Sequence, residues 1–301
     1  MTIIKKVGFI GVGLMGHGMA KNLLEKGHPL TILGHRNRQP VEDLVARGAV
    51  EAANPAEVVR RSDIIFLCVS NSMQVEAVIE GENGILSAAR KGLVVVDTST
   101  ADPDSTLRLA MLLQAKGMRM ADAPLTRTPK QAEEGRLNVM VGADDELFAE
   151  LEPVIACFAE NILHVGPLGA GHKIKLINNF IALGNASVVA EAVTAAVKVG
   201  VDLGKLFELV SSGGANSNIF QMVMPWVLQG DISNMQFAIG NAAKDLRYYS
   251  RMVQDAKLST PVSPAVLGAF SLAEAMGEGE EFVPRLCDVL AGINKVDVHK
   301  G

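Results

Sequence analysis

The stretch "KVGFIGVGLMGHGMAKNLLEKG", residues 6–27, narrows the fold more than any other part of the chain. A short apolar run passes through Gly11, Gly13 and Gly16 into a segment of helical period that Gly27 stops. Each glycine has its own job where a strand hands over to a helix beneath a dinucleotide. The first allows the tight turn, the second lets the backbone approach a pyrophosphate, and the third lets helix and strand pack closely. The anion then rests on the N-terminus of the helix that follows. A GxGxxG on its own is weak, but this one follows a strand, starts a helix and opens a repeating pattern.

The repeat continues through "LTILG", "QPVEDLVARGA", "DIIFLCVS", "MQVEAVIEGENGIL", "LVVVDTST", "DPDSTLRLAMLLQAKGM" and "RMADAPL", apolar runs alternating with helical periods. Strands written as continuous Val/Ile/Leu runs are buried on both faces, which predicts a parallel sheet with helices on each side. Near residue 166 the pattern changes. "HKIKLINNFIALGNASVVAEAVTAAVKVGV" holds helical spacing without a break until Gly200, and further helical segments follow. The expected fold is therefore α/β. A Rossmann-type, doubly wound domain (residues 1–167) is joined by a long helix to an all-α domain (residues 168–301).

Composition removes several classes of function. The 301 residues are 49% hydrophobic, carry a net charge of −5 without runs of one sign, and are only 4% aromatic. That is no nucleic-acid footprint. The three cysteines and six histidines show no metal-ligand spacing, so no metal is expected and reduced thiols in the cytoplasm are the plain reading. The opening residues lack a cleavage pattern, and no apolar stretch is read as reaching the roughly 18 residues of a membrane span.

Ligands of such sheets sit at the carboxyl ends of the strands. The second strand ends in "LGHRNRQ", residues 33–39, where an NAD site usually has an acid; none occurs between Thr31 and Val41. His35, Arg36 and Arg38 stand there instead, and an arginine pairs well with a 2′-phosphate, which favours NADP over NAD. Later strands end in Val69, Ser70, Asn71 and Ser72, and in Asp97, Thr98, Ser99 and Thr100. These groups suit the ribose or nicotinamide, with Thr100 the favoured contact; equally, Asp97 to Ser99 suit capping of the next helix.

In "GAGHKIKLINNF", residues 169–180, Lys175, Asn178 and Asn179 stand at i, i+3 and i+4, on one helix face. A desolvated lysine there can serve as general acid when a carbonyl takes up hydride, with Asn179 holding the oxygen or the lysine. His172 and Lys173 read as a solvated helix start.

With these pieces in place, the chain resembles the β-hydroxyacid dehydrogenases, the group that includes 3-hydroxyisobutyrate dehydrogenase and tartronate semialdehyde reductase. Four motifs carry the resemblance in order over essentially the full length. "GFIGVGLMGHGMAKNL", with Leu14 and Met15 after the second glycine, matches the cofactor fingerprint. "DAPLTRTP", residues 122–129, falls on the substrate segment, "GAGHKIKLINN" on the catalytic segment GxGxxxKxxNN, and "KDL", with Lys244, on a late motif near the cofactor. The resemblance implies NAD(P)-dependent interconversion of a short hydroxy acid and its aldehyde or ketone, with Lys175 catalytic, Asn179 its partner, and assembly as dimers or tetramers. One departure stands out: the family's usual Ser-Gly-Gly is replaced by Thr126, Arg127 and Thr128. An arginine brings a charged, planar fork that suits a sulfonate or a more distant carboxylate. A branch that reduces 3-sulfolactaldehyde carries a similar Arg-Thr pair. The anion would then lie against Thr126, Arg127, Thr128 and Asn178; alternatively, Arg127 pairs with Glu133 or Glu134 and shapes the loop. Two rivals are an imine reductase of the same fold, which generally lacks the lysine, and a non-catalytic NADPH-binding sensor, which has no use for one.

Overall fold

The structure, a computed structural model, describes residues 4–299. The chain forms two compact units that divide between Lys175 and Leu176. In the first, β1 (Val7–Ile10), α1 (Gly16–Glu25), β2 (Leu30–Leu33), α2 (Gln39–Ala46), β3 (Val50–Glu51) and α3 (Pro55–Arg61) are followed by β4 (Ile64–Leu67) and α4 (Ser72–Glu80). Then come β5 (Val94–Asp97), α5 (Pro103–Gln114), β6 (Arg119–Asp122), β7 (Leu125–Thr126), α6 (Pro129–Glu133), β8 (Leu137–Gly142), α7 (Asp145–Ile155) and β9 (Ala159–Gly166).

The strands run in the order β3-β2-β1-β4-β5-β6, all parallel, with Val7, Gly8, Phe9 and Ile10 in register with both Leu30–Leu33 and Ile64–Leu67. The order reverses between β1 and β4, which is where a doubly wound sheet opens its ligand crevice. Strand periodicity divides the apolar residues between the two faces. Phe9, Phe66 and Val96 join one core, where Phe66 meets Phe9 at 6.0 Å and the edge of Phe158 at 5.5 Å. Ile10, Leu67 and Val95 join the other.

The expected parallel, doubly wound sheet is present, with mixed pairing added beyond β6. Asp122 of β6 and Leu125–Thr126 of β7 pair antiparallel with β8, and β9 then runs parallel to β8. Strand β3 is two exposed residues and β9 has no buried residue, so neither offered an apolar run to read. Helix α4 ends at Glu80, before a short 3-10 turn over Ile85–Ala88, where the sequence suggested one longer helix.

The second unit is helical. The long helix α8 (Ala170–Lys198) leads into it, followed by α9 (Leu203–Ser211), α10 (Asn218–Gln229), α11 (Ile239–Asp255), α12 (Ser263–Ala275) and α13 (Leu286–Ile293). Contrary to the sequence reading, α8 is long and apolar enough by length and composition to cross a membrane. Its Leu183, Ala186, Ala190 and Val193 are buried in the unit's core with Phe220, Met224, Leu246 and Phe270, the arrangement of a core helix. Met235 is buried there too. Cys68, Cys157 and Cys287 are free thiols, and burial raises all three, Cys68 to about 11.

Candidate active site

The glycine turn has the backbone its sequence requires. Gly11 has φ 99°, and a Cβ there would lie 2.2 Å from the Cys68 carbonyl oxygen. One on Gly16 would lie 2.0 Å from the Gly11 carbonyl, so that position must stay bare for α1 to follow β1 so closely. Gly13 is different: it is exposed and a Cβ there meets nothing within 4 Å. Its bare backbone faces open space, which fits the approach of a pyrophosphate. Leu14 is 79% exposed beside it, with Met15 half-buried. A cavity of about 480 Å³ opens next to this turn, lined among others by Gly13, Leu14, His17, Asn37 and Lys130.

Past β2, His35 and Arg36 are exposed, and Arg36 has no ion pair among the described residues. Arg38 instead forms a two-pronged pair with Glu51, Nη1–Oε1 2.7 Å and Nη2–Oε2 2.8 Å. At the ends of β4 and β5, Val69 N donates to Ser99 Oγ at 3.0 Å and Thr98 Oγ1 donates to the Leu67 carbonyl at 2.7 Å. Asp97 accepts from Ser99 N. Thr98 and Ser99 therefore tie two strand ends together, and the capping alternative is overturned: Asp102 caps α5. Asn71 caps α4 by accepting from Gln74 N, Ser70 N is held by Gln74, and Thr100 is half-buried at the end of β5.

In the segment 122–129, Arg127 has φ 85°, a left-handed conformation that costs a non-glycine residue about 1–3 kcal/mol. Glycine would adopt it freely. Arg127 is held by Glu160 and by the Arg136 carbonyl at 2.5 Å, not by Glu133 or Glu134. Glu133 bonds to His17 and Lys21 instead. Thr126 Oγ1 accepts from Asn138 at 3.2 Å, and Thr128 starts α6 with its N–H on Gln131.

The beginning of α8 corrects the sequence most sharply. Lys173 is exposed as expected, but His172 is fully buried. Its Nε2 lies 3.1 Å from the Ser99 carbonyl and its Nδ1 2.8 Å from the Thr106 hydroxyl, while Asp97 and Asp122 each place an oxygen 3.8 Å from one ring nitrogen. Asp122, at the end of β6, accepts from the backbone N–H groups of Gly169 and His172 at 2.6 Å each. A carboxylate at a helix N-terminus satisfies donors that would otherwise be orphaned and complements the helix dipole. Burial pushes the Asp122 carboxyl up even so, against the pull of the His172 ring and those N–H groups. Gly171 permits this approach, since its Cβ would lie 2.5 Å from the Met140 carbonyl. Lys175 follows one turn later, half-buried.

In the helical unit, Asn178 is exposed and Asn179 is buried. Asn179 Nδ2 donates to Asp245 Oδ2 at 2.6 Å, and Asn178 Nδ2 donates to Asn179 Oδ1 at 3.3 Å. Lys244 Nζ lies 3.1 Å from Asp245 Oδ1. The second asparagine and the late Lys-Asp-Leu motif, 66 residues apart, are thus one hydrogen-bonded cluster. Sequence reasoning named Lys244 but passed over Asp245, although the motif itself contains it. Among the described residues no group of three or more metal-ligating side chains gathers.

A glycine turn opening a doubly wound sheet, followed by a helical unit, defines an NAD(P)-binding oxidoreductase. Comparison with known proteins agrees. Residues 6–166 match the NAD-binding domain of 6-phosphogluconate dehydrogenase, and residues 169–285 match the NAD-binding domain of NADP-dependent 3-hydroxyisobutyrate dehydrogenase. The chain belongs to the 3-hydroxyisobutyrate dehydrogenase family of NAD(P)-dependent β-hydroxyacid dehydrogenases. It is 34% identical to 2-(hydroxymethyl)glutarate dehydrogenase of Eubacterium barkeri, over 98% of both chains. It is 32% identical to 3-sulfolactaldehyde reductase of Escherichia coli, over 91% of this chain and 92% of that one. The crystal structure of a 3-hydroxyisobutyrate dehydrogenase from Salmonella typhimurium superposes with a TM-score of 0.83 at 27% identity, covering 94% of this chain and 99% of the other.

Proposed function

We propose that this enzyme interconverts a short hydroxy acid bearing a second anionic group and the matching semialdehyde, with NADP(H) as the preferred cofactor. The observation that carries the reading is Lys175, half-buried one turn beyond a helix start fixed by buried His172 and Asp122. The cofactor supplies or accepts the hydride. Lys175 gives the carbonyl oxygen its proton in reduction and removes the hydroxyl proton in oxidation. Asn179, oriented by Asp245, holds the lysine or the oxygen in place. Gly11, Gly13, Leu14, Met15 and Gly16 cradle the pyrophosphate, His35 and Arg36 lie toward the adenosine end, and Val69, Ser70, Asn71, Thr100 and Lys244 toward the nicotinamide.

The anionic end of the substrate falls to Thr126, Arg127, Thr128 and Asn178. Arg127 already pairs with Glu160, so the substrate anion must compete with that carboxylate for the guanidinium. The names of two relatives support a second anion: 2-(hydroxymethyl)glutarate carries two carboxylates and sulfolactaldehyde a sulfonate. The exposed apolar residues of the helical unit, among them Ile181, Val188 and Leu209, support a homodimer or homotetramer. An imine reductase has no need of Lys175, and a sensor has none either.

The test is NADPH and NADH consumption with succinic semialdehyde, sulfolactaldehyde, tartronate semialdehyde, methylmalonate semialdehyde and glyoxylate. Preference for the sulfonate or the longer acid is expected, and preference for tartronate or methylmalonate semialdehyde would sink the second-anion argument. Arg127→Ala is expected to raise KM for the favoured aldehyde by about 10–100-fold, the loss of a charge-assisted bond. An unchanged KM would leave Arg127 a loop residue only.

A further inference from the structure

We propose that Glu51 sets the cofactor selectivity of this enzyme: it restrains Arg38, opposes a 2′-phosphate and accepts from the ribose hydroxyls of the unphosphorylated dinucleotide. This rests on the dinucleotide reading above, and its test is chosen to stand apart from the substrate.

An acid that reads the ribose normally sits at the end of the second strand. Here that tail is Gly34-His35-Arg36-Asn37 and contains none. The fold supplies one from the neighbouring strand. β3 runs parallel to β2 with Glu51 opposite Ile32, and Ala52 N donates to the Ile32 carbonyl at 2.8 Å. That pairing brings the Glu51 carboxylate to the edge where β2 ends. A Cβ on Gly34 would stand 3.0 Å from both Arg38 Nη1 and Glu51 Oε1, so the pair lies directly against the first residue past the strand. Arg38 holds the Glu51 carboxyl below its usual range.

The pair is half-exposed, with side-chain exposures of 49% and 34%, and such pairs contribute little to folding. Its consequence is for what binds. Both ends of the Arg38 fork are already taken by Glu51. A 2′-phosphate that engages Arg38 must detach it from its partner, and one that engages Arg36 still sits beside a carboxylate of like charge. A ribose with free hydroxyls meets no such conflict, since Glu51 accepts from them. The chain therefore has arginines that favour NADP and an acid that moderates them.

The test is isothermal titration of NADP+ and NAD+ into the wild-type protein, Glu51→Gln, Arg38→Ala and Arg36→Ala. Glutamine keeps the shape of an exposed side chain and removes only its charge. Juxtaposed like charges cost enough that Glu51→Gln should raise the ratio Kd(NAD+)/Kd(NADP+) by about tenfold or more. Arg38→Ala, which releases Glu51, should lower it. A ratio unchanged within about twofold in Glu51→Gln overturns the proposal. So does a ratio that survives Arg38→Ala but collapses in Arg36→Ala, which would assign selection to Arg36 alone. Binding of neither dinucleotide would overturn this proposal together with the dinucleotide reading. Since no aldehyde enters the measurement, failure to turn over any substrate leaves this result standing.

Discussion

Lys175→Ala is expected to lower kcat by about 10²–10⁴-fold, the usual worth of a positioned general acid, while the Kd for NADPH stays within a factor of about two. The two effects separate because the residues assigned to the cofactor stand at the ends of β1, β2, β4 and β5 and on α11, whereas Lys175 is on α8. Alanine is the best helix former, and Lys175 is only half-buried, so the variant should fold. Lys175→Met keeps the stem and drops the amine, and should be as inactive. Lys175→Arg is the sharper control. It restores the charge, but a guanidinium does not release its proton in a protein, so a charge-only role would be rescued and an acid–base role would not. Single-turnover reduction of the preferred semialdehyde makes the measurement. If Lys175→Ala retained most of the wild-type rate, or if Lys175→Arg restored it, the assigned chemistry would be wrong.

The expected βα alternation appeared because β1, β4 and β5 are wholly buried, and burial on both faces writes itself as an apolar run. Where a strand is exposed, that signal vanishes. Val50–Glu51 shows no run, yet it positions the acid that the second strand lacks. The glycine turn was legible because each glycine answers a local steric demand. Lys175, Asn178 and Asn179 were legible as one helix face for the same local reason. What stayed hidden depends on residues far apart in the chain. His172 stands between glycines and lysines and reads as solvated; it is buried by Asp97 and Ser99, Thr106 and Asp122, which come from 50 or more residues earlier. Arg127 reads as an anion ligand or as a partner of Glu133 or Glu134, and its pairing with Glu160 arises only when β9 lies beside β8.

His172→Ala should show how much that hidden network contributes. Removing the ring leaves Thr106 and the Ser99 carbonyl without their partner and two buried carboxyl groups without the dipole between them. Truncating a fully buried ring that makes two hydrogen bonds leaves unsatisfied polar groups and a cavity, which together cost about 2–5 kcal/mol, and a urea melt resolves that easily. A solvated histidine at a helix start would cost no more than about 0.5 kcal/mol, so a loss that small would contradict the network's role. Asp122 adds a pH signature. Burial already holds its carboxyl above the usual range and the His172 ring pulls it down, so losing the ring should raise it further. A carboxyl whose folded value lies above its unfolded one loses stability as pH rises past the unfolded value and recovers it when protonated. The deficit of His172→Ala relative to wild type should therefore be greatest near neutrality and shrink below about pH 4, where the carboxyl is protonated in both states. His172→Gln keeps a donor for the Ser99 carbonyl and should recover part of the loss. The same ring fixes the turn that presents Lys175, and displacing a reacting group by about 1 Å can cost 10²-fold in rate. Hence kcat should fall in His172→Ala even at temperatures where the protein stays folded, with the Kd for NADPH unchanged. A fall in stability with full kcat retained would reduce His172 to a packing residue and leave the orientation of Lys175 to α8 alone.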